Sequence, residues 1–250
     1  SSPIWSLMIV LGLDLSLTST GITVLSTKPA GYTIRYCSAA QTKKELTQHF
    51  ESYYKAMRQQ SDVQGIINAL THLNILSPDN LRRDTLAYVY ASNNQHIQAL
   101  NTLGIEENET DSDLAIQVKA SSLKAIGQLP RALAQYNLLS KRKPSPYLVY
   151  EMADLNIQLG KDNMALLLIE QGMAQATEEM KYAFYERQEP YEVSLKAAFL
   201  YLKGLATFNK NKEEVAQAIA LLDEAIALSP NFNLAQLSKQ ALAQRKTEEN

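Results

Sequence analysis

Alanines recur at a fixed interval through the middle of this chain. Ala99, Ala132 and Ala165 follow one another at intervals of 33 residues, and a further alanine stands twelve residues before each. These earlier alanines are Ala87, Ala120 and Ala153. Two antiparallel helices approach closely only where both carry small side chains, so the paired alanines predict the crossing points of helical hairpins. A unit of this length cannot bury its apolar face alone and has to stack on neighbouring units.

The composition agrees with a helical protein. The chain of 250 residues has only 9 glycines and 8 prolines, so few residues would break a helix. A formal net charge of −2 argues against an electrostatic nucleic-acid binder. The single cysteine, Cys37, excludes an internal disulfide framework. The longest apolar stretch, residues 4–13, is too short for a membrane-spanning helix.

These spacings resemble the tetratricopeptide repeat (TPR), a helical hairpin of about 34 residues. We map five units, which together cover about residues 44–245. They start at Thr47, Asn80, Asp113, Pro146 and Phe199. The first unit is atypical, because Tyr54 and Ile66 stand where the other units have small residues. The resemblance implies an all-α fold, a right-handed superhelical solenoid of antiparallel helix pairs.

The chain divides near residue 41 in this interpretation. Residues 1–40 form a β-prone segment, residues 41–245 the repeat domain and residues 246–250 a polar tail. About twenty residues near 179–198 interrupt the 33-residue spacing and bring four aromatic residues and a proline together. Two interpretations of this insert remain open. Its aromatic side chains pack between units four and five, or they form a lip for a ligand peptide.

The β-prone segment carries a second resemblance. Strands are expected at Met8–Leu13, Gly21–Leu25 and Tyr32–Tyr36, which are rich in strand-forming residues. Asp14 follows the first of these strands, as in the opening hairpin of ribonuclease-H-like proteins, and most closely of Holliday-junction resolvases. In that family this carboxylate helps to hold divalent metal. Two-metal cleavage needs several converging acids, and none follows on a strand here. A nuclease-like fusion built on Asp14 therefore stands as an alternative only.

The residues before the repeats also bear on the compartment. Ser38, Ala39 and Ala40 resemble the small-residue cleavage site of a secretory signal, although no apolar core segment precedes them directly. The helical part resembles exported bacterial repeat proteins. An exported or periplasmic location is therefore slightly favoured over a cytoplasmic one.

The repeat resemblance implies a non-enzymatic scaffold that binds a peptide or partner protein. In this family the first helix of each unit lines a concave groove, and Lys55 and Arg58 fall on that face. We expect six residues to line the middle of the groove: Tyr88, Gln117, Lys124, Tyr147, Tyr150 and Asp154. Packing between hairpins is the alternative for Tyr150. A structural assembly subunit remains a third possible function.

Other specialised sites are not predicted. Some members of the family hold a C-terminal carboxylate with a Lys/Asn clamp, but Glu51 and Lys55 occupy the positions concerned. No sequence motif for a catalytic site, a metal site or a cofactor is recognised. The sequence leaves the oligomeric state open.

Overall fold

The computed structural model describes residues 22–28, 31–37 and 39–248. Within these ranges the chain forms eleven helices and two antiparallel β-hairpins. The elements are β1 (Ile22–Lys28), β2 (Gly31–Cys37), α1 (Ala39–Gln59), α2 (Val63–Leu76), α3 (Asn80–Ser92), α4 (His96–Leu103), α5 (Asp113–Ala125), α6 (Leu129–Arg142), α7 (Pro146–Gln158), α8 (Asp162–Gln175), β3 (Lys181–Phe184), β4 (Tyr191–Ser194), α9 (Leu195–Lys210), α10 (Val215–Leu228) and α11 (Asn233–Glu248). The chain groups into two compact units, residues 1–89 and residues 90–250.

A β-hairpin precedes the helices of the first unit. β1 and β2 pair antiparallel, with Ile22 opposite Cys37. Two of the three expected strands are therefore confirmed. The third, at Met8–Leu13, lies outside the described residues, as does Asp14. The first helix, α1, begins at Ala39.

The helices α1 and α2 pack against each other in the first unit. The carboxylate of Asp62 caps α2 by accepting a hydrogen bond of 2.9 Å from the backbone N–H of Gly65. Gly65 is buried, and a Cβ atom there would lie only 2.3 Å from Sδ of Met57. The small residue that lets these helices approach is thus Gly65, one position before Ile66.

The alanines that define the repeat are fully buried. In the second unit each helix from α4 to α11 contacts the next, and α7 also contacts α9. The alanines of the repeat pattern that have no exposed surface include Ala87, Ala99, Ala120, Ala132, Ala153, Ala165, Ala206 and Ala218. A larger side chain at these positions would have to displace neighbouring atoms.

The first four helix pairs share one turn geometry. A residue with positive φ follows the first helix of each pair: Ser61 (55°), Asn94 (58°), Gly127 (79°) and Gly160 (70°). These residues are 33 positions apart, and the N–H that follows each one bonds a carbonyl of the last helical turn at 2.8–3.0 Å. This pattern is a helix C-cap closed by a left-handed residue. The α1–α2 pair therefore follows the same backbone register as the next three pairs.

A loop held by buried charges interrupts the regular pattern in the second unit. The helix α4 has only eight residues, and Gly104, whose φ is 82°, caps its C-terminus. In the loop that follows, the ammonium of Lys119 lies 2.5 Å from the Asp111 carboxylate and donates to the carbonyl of Glu106 at 2.9 Å. Arg142 donates to the carbonyl of Asp111 as well. Lys119 is 2% exposed, so this loop is anchored from the interior.

The insert forms the β3–β4 hairpin between α8 and α9. Its Tyr182 ring lies 4.1 Å from the Tyr150 ring, and its Phe184 ring lies 4.9 Å from that of Phe232. Tyr185, near the turn, is 74% exposed. The structure thus favours the packing interpretation for Tyr182 and Phe184.

Candidate functional site

The six expected groove residues lie on three of the first helices. Tyr88 is on α3, in the first compact unit, and the other five belong to α5 and α7 in the second. The side chains of Tyr88 and Tyr147 are 52% and 39% exposed, and Gln117 is also exposed. These three side chains are accessible to a partner.

The structure brings Lys124 and Asp154 together as an ion pair. The ammonium of Lys124 lies 2.7 Å from Oδ2 of Asp154 and 2.6 Å from Oε2 of Glu151. These two ion pairs join α5 to α7. Glu151 also accepts a hydrogen bond from the Tyr182 hydroxyl, and Asp154 accepts one of 2.9 Å from the Gln158 amide. We call Lys124, Glu151, Asp154 and Tyr182 the ion cluster. Its charges are largely satisfied within the fold.

Burial and charge fix the protonation of the ion cluster. Burial acts to lower the pKa of Lys124, but the Glu151 and Asp154 carboxylates outweigh it and the pKa is raised. Burial, followed by the negative charge of Glu151, raises the pKa of Tyr182 well above its ordinary value. At neutral pH the lysine is therefore charged and the tyrosine hydroxyl is a hydrogen-bond donor.

Tyr150 is a core residue. Its side chain is 3% exposed, and its ring lies 4.1 Å from that of Tyr182 and 5.6 Å from that of Phe199. These neighbours leave it no surface for a partner, so the expectation that Tyr150 lines the groove is corrected. Its neighbour Tyr182 comes from the insert, which has no equivalent in the regular repeat.

The first compact unit contains a groove between α1, α2 and α3. Its volume is about 580 Å³. Its apolar lining consists of Ile66 and the buried Leu70 and Leu73 on α2, together with Leu81 and Tyr88 on α3. Leu81 is 72% exposed, an unusual position for a leucine beside other apolar residues. We call this feature the α1–α3 groove.

Two arginines line the α1–α3 groove, in different environments. Arg82 lies 2.7 Å from the Glu51 carboxylate and donates to the carbonyl of Ser77 at 3.0 Å. Arg58 lies over the ring of Tyr54, 5.7 Å from its centre. No carboxylate of the described residues forms a salt bridge with Arg58. Arg82 and Leu81 were not expected from the sequence to line a groove, because their positions there depend on how α3 lies against α2.

Other kinds of site have no support within the described ranges. No cluster of three or more His, Cys, Asp or Glu residues could hold a metal ion there. Likewise, none of the helices in the described part of the chain has the length and apolar character to cross a membrane.

Comparisons with known proteins agree with the helical-repeat architecture. No protein-family model matches the chain, and no curated protein matches it. The crystal structure of MamA protein is similar with a TM-score of 0.58 and 15% identity, over 75% of this chain and 93% of that one. A tetratricopeptide repeat protein from Parabacteroides merdae ATCC 43184 gives a TM-score of 0.44 and 17% identity, over 81% of this chain and 78% of its own. The chain has a TPR-like fold, and the likeness concerns the fold alone.

Proposed function

Because the described helices have a TPR-like fold, we propose that this protein is a non-enzymatic scaffold that binds a peptide or partner protein along its first helices. The observation that carries the proposal is the exposure of Gln117 on α5 and Tyr147 on α7. Tyrosine offers a large amphipathic contact surface at a low cost in side-chain entropy. In the same proposal Tyr88 serves this role on α3.

The ion cluster supports a binding surface that is already formed before the partner arrives. Lys124 is held by Glu151 and Asp154, and Asp154 also accepts a hydrogen bond from Gln158, so these side chains need little further ordering on binding. The cluster has one more carboxylate than ammonium groups. Lys124 and Asp154 therefore shape the surface between α5 and α7 and give it a weak negative charge, which suits a mixed or mildly basic partner segment.

Site-specific photo-crosslinking tests the proposal. The photoreactive amino acid p-benzoylphenylalanine replaces Tyr147 in one variant and Leu167 in a matched control. Leu167 lies on the second helix α8 and is 67% exposed, more than Tyr147. In the native host we expect defined crosslinked species at position 147 and not at position 167. Equal labelling at both positions would contradict binding along the first helices.

Substitutions at the exposed residues provide a second readout. Tyr147→Ala and Gln117→Ala should reduce recovery of the crosslinked partner and leave the melting temperature unchanged, since both side chains are exposed. Lys124→Glu is unsuitable as a surface variant. It would place three carboxylates together in a half-buried cluster and destabilise the fold itself.

A nuclease built on Asp14 is tested directly by activity. We expect the purified full chain not to cleave branched DNA with added magnesium or manganese, and Asp14→Asn to change nothing. Metal-dependent cleavage that Asp14→Asn abolishes would overturn the scaffold proposal in favour of a nuclease-like fusion.

A further inference from the structure

The α1–α3 groove combines an apolar floor with an arginine, Arg58, that pairs with no carboxylate of the described residues. Its apolar surface comes from α2 and from Leu81, which is 72% exposed although its groove neighbours are apolar. An aliphatic side chain of a partner would cover Leu81 and remove this surface from water. The volume of about 580 Å³ is in the range of small-ligand pockets, so the groove fits a few residues of a partner.

The charges of the groove favour an acidic ligand. Glu51, Arg58 and Arg82 are its charged lining residues. Glu51 forms an ion pair with Arg82, which leaves the charge of Arg58 uncompensated among the described residues of the groove. Beyond Arg58, the cationic surface continues along α1 through the exposed Lys55, which lines a shallower adjoining depression with Tyr54.

The environment of Arg58 also suits a carboxylate ligand. The Tyr54 ring under the guanidinium limits the positions that it can adopt, and the guanidinium is exposed to solvent. A guanidinium presents a planar pair of N–H donors that match the two oxygens of a carboxylate. The site differs from a terminal-carboxylate clamp, since Arg58 is the single cation without an ion pair among its described lining residues and lies beside an apolar floor.

We propose that the α1–α3 groove binds an acidic partner segment, in which a Glu or Asp pairs with Arg58 and a neighbouring aliphatic side chain packs on Leu81 and Ile66. The inference rests on the proposed function and narrows the ligand of the first compact unit to one chemical class. The carboxylate belongs to a side chain, so a free C-terminus is not required.

Fluorescence anisotropy with the full chain tests this inference. The probe is a fluorescein-labelled peptide with alternating Leu and Glu, acetylated at one end and amidated at the other. Two matched peptides replace every Glu by Gln or every Leu by Ser. We expect the Leu/Glu peptide to bind at least about tenfold more tightly than either control, and to weaken as salt is raised.

Variants of the protein locate the interaction. Arg58→Gln should weaken binding of the Leu/Glu peptide about tenfold and leave binding of the Leu/Gln peptide unchanged. Leu81→Ser should weaken both. Arg131→Gln is the matched control, because Arg131 is a half-exposed arginine on α6 and lies outside the groove. All three residues are partly or largely exposed, so unchanged melting curves verify that the variants fold.

Each other outcome overturns the inference. Equal affinity for the Glu and Gln peptides would remove the role of the carboxylate, and an Arg58→Gln variant that binds normally would place the site elsewhere. Absence of binding to the unsubstituted protein would also contradict an acidic ligand. Crosslinking at position 147 is a separate measurement on the second unit, so its result decides the proposed function independently of the peptide.

Discussion

The α1–α2 pair and the α5–α6 pair both pack closely, but the small residues that allow this differ between them. Both have a residue in the left-handed conformation at the same repeat position, Ser61 in one pair and Gly127 in the other. In α5–α6 the small residues are the fully buried Ala120 and Ala132. In α1–α2 the close approach is at Gly65, and Tyr54 stands where α5 has Ala120.

This difference shows that turn register and crossing residues can vary separately. The turn fixes where the chain reverses, and any small residue near the crossing lets the helices approach. Because Gly65 is the small residue where α1 and α2 approach, position 54 does not need a small side chain. Tyr54 lines the α1–α3 groove instead. The helix pair that matches the repeat pattern least well is therefore also the pair that borders the α1–α3 groove.

The largest loss of stability is expected when a buried glycine beside a rigid aromatic ring, Gly172 beside Phe199, is replaced. A Cβ atom at Gly172 would lie 2.1 Å from Cζ of Phe199, a ring with no exposed surface. We expect Gly172→Ala to lower the free energy of unfolding by about 3 kcal/mol, because the ring cannot move aside. Urea denaturation measures the change. A loss below about 1 kcal/mol would show that the α8–α9 contact is more adaptable than the structure indicates.

The alanine crossing should be the next most sensitive position. Ala132→Leu forces a larger side chain between α5 and α6, and overpacking of this kind costs about 2 kcal/mol. The free energy of unfolding from urea titration provides the measurement, with the exposed Ala125 on α5 as the site of a control Ala→Leu change. Equal effects at Ala132 and Ala125 would contradict the assigned crossing.

The glycine of the first pair should tolerate a methyl group far better than Gly172. The two nearest atoms that a Cβ at Gly65 would meet are Sδ and Cγ of Met57, which belong to a flexible side chain, and Oδ2 of the capping Asp62 would lie 3.0 Å away. The rotation of Met57 has a cost, but alanine is more favourable than glycine in a helix by about 1 kcal/mol. We expect Gly65→Ala to change the free energy of unfolding by less than about 1 kcal/mol. A loss as large as that of Gly172→Ala would refute the contrast between the two glycines.

A comparably small effect is expected at Ile66, beside that glycine. Ile66→Leu conserves volume at a half-buried position that lines the α1–α3 groove. The free energy of unfolding should fall by less than about 1.5 kcal/mol, since such swaps repack easily. Thermal and urea unfolding curves check this. If Ile66→Leu proved as harmful as Ala132→Leu, the two helix pairs would not differ in the way described.

The repeat could be predicted from the sequence because its signal is periodic. Each alanine that set the 33-residue spacing is fully buried, and units two to four begin at the first residues of α3, α5 and α7. A periodic pattern reports on helix contacts that recur in every unit. The repeat spacing therefore predicted where these helices begin, but not the contacts that occur in one unit only.

The exceptions depend on contacts between segments with no fixed spacing. Tyr150 is buried because Tyr182 and Phe199 cover it, and Tyr182 lies on the inserted hairpin. Lys124 pairs with Glu151 because α5 and α7 are neighbours. The sequence signal for this pair was the acidic Glu151, which lies 27 residues after Lys124 on the first helix of the next unit.

The anchored loop between α4 and α5 has a consequence for proteolysis. Exposed loops are the usual sites of cleavage, since a protease must draw several residues of backbone into its active site. Here such opening would separate Lys119 from Asp111 and leave a buried ammonium without its carboxylate. That step is costly, so this loop should resist an endopeptidase that cleaves after glutamate, at Glu106, Glu107 or Glu109, longer than its exposure implies. The turn at Tyr185, with no comparable buried anchor among the described contacts, is the expected first site of nicking by chymotrypsin.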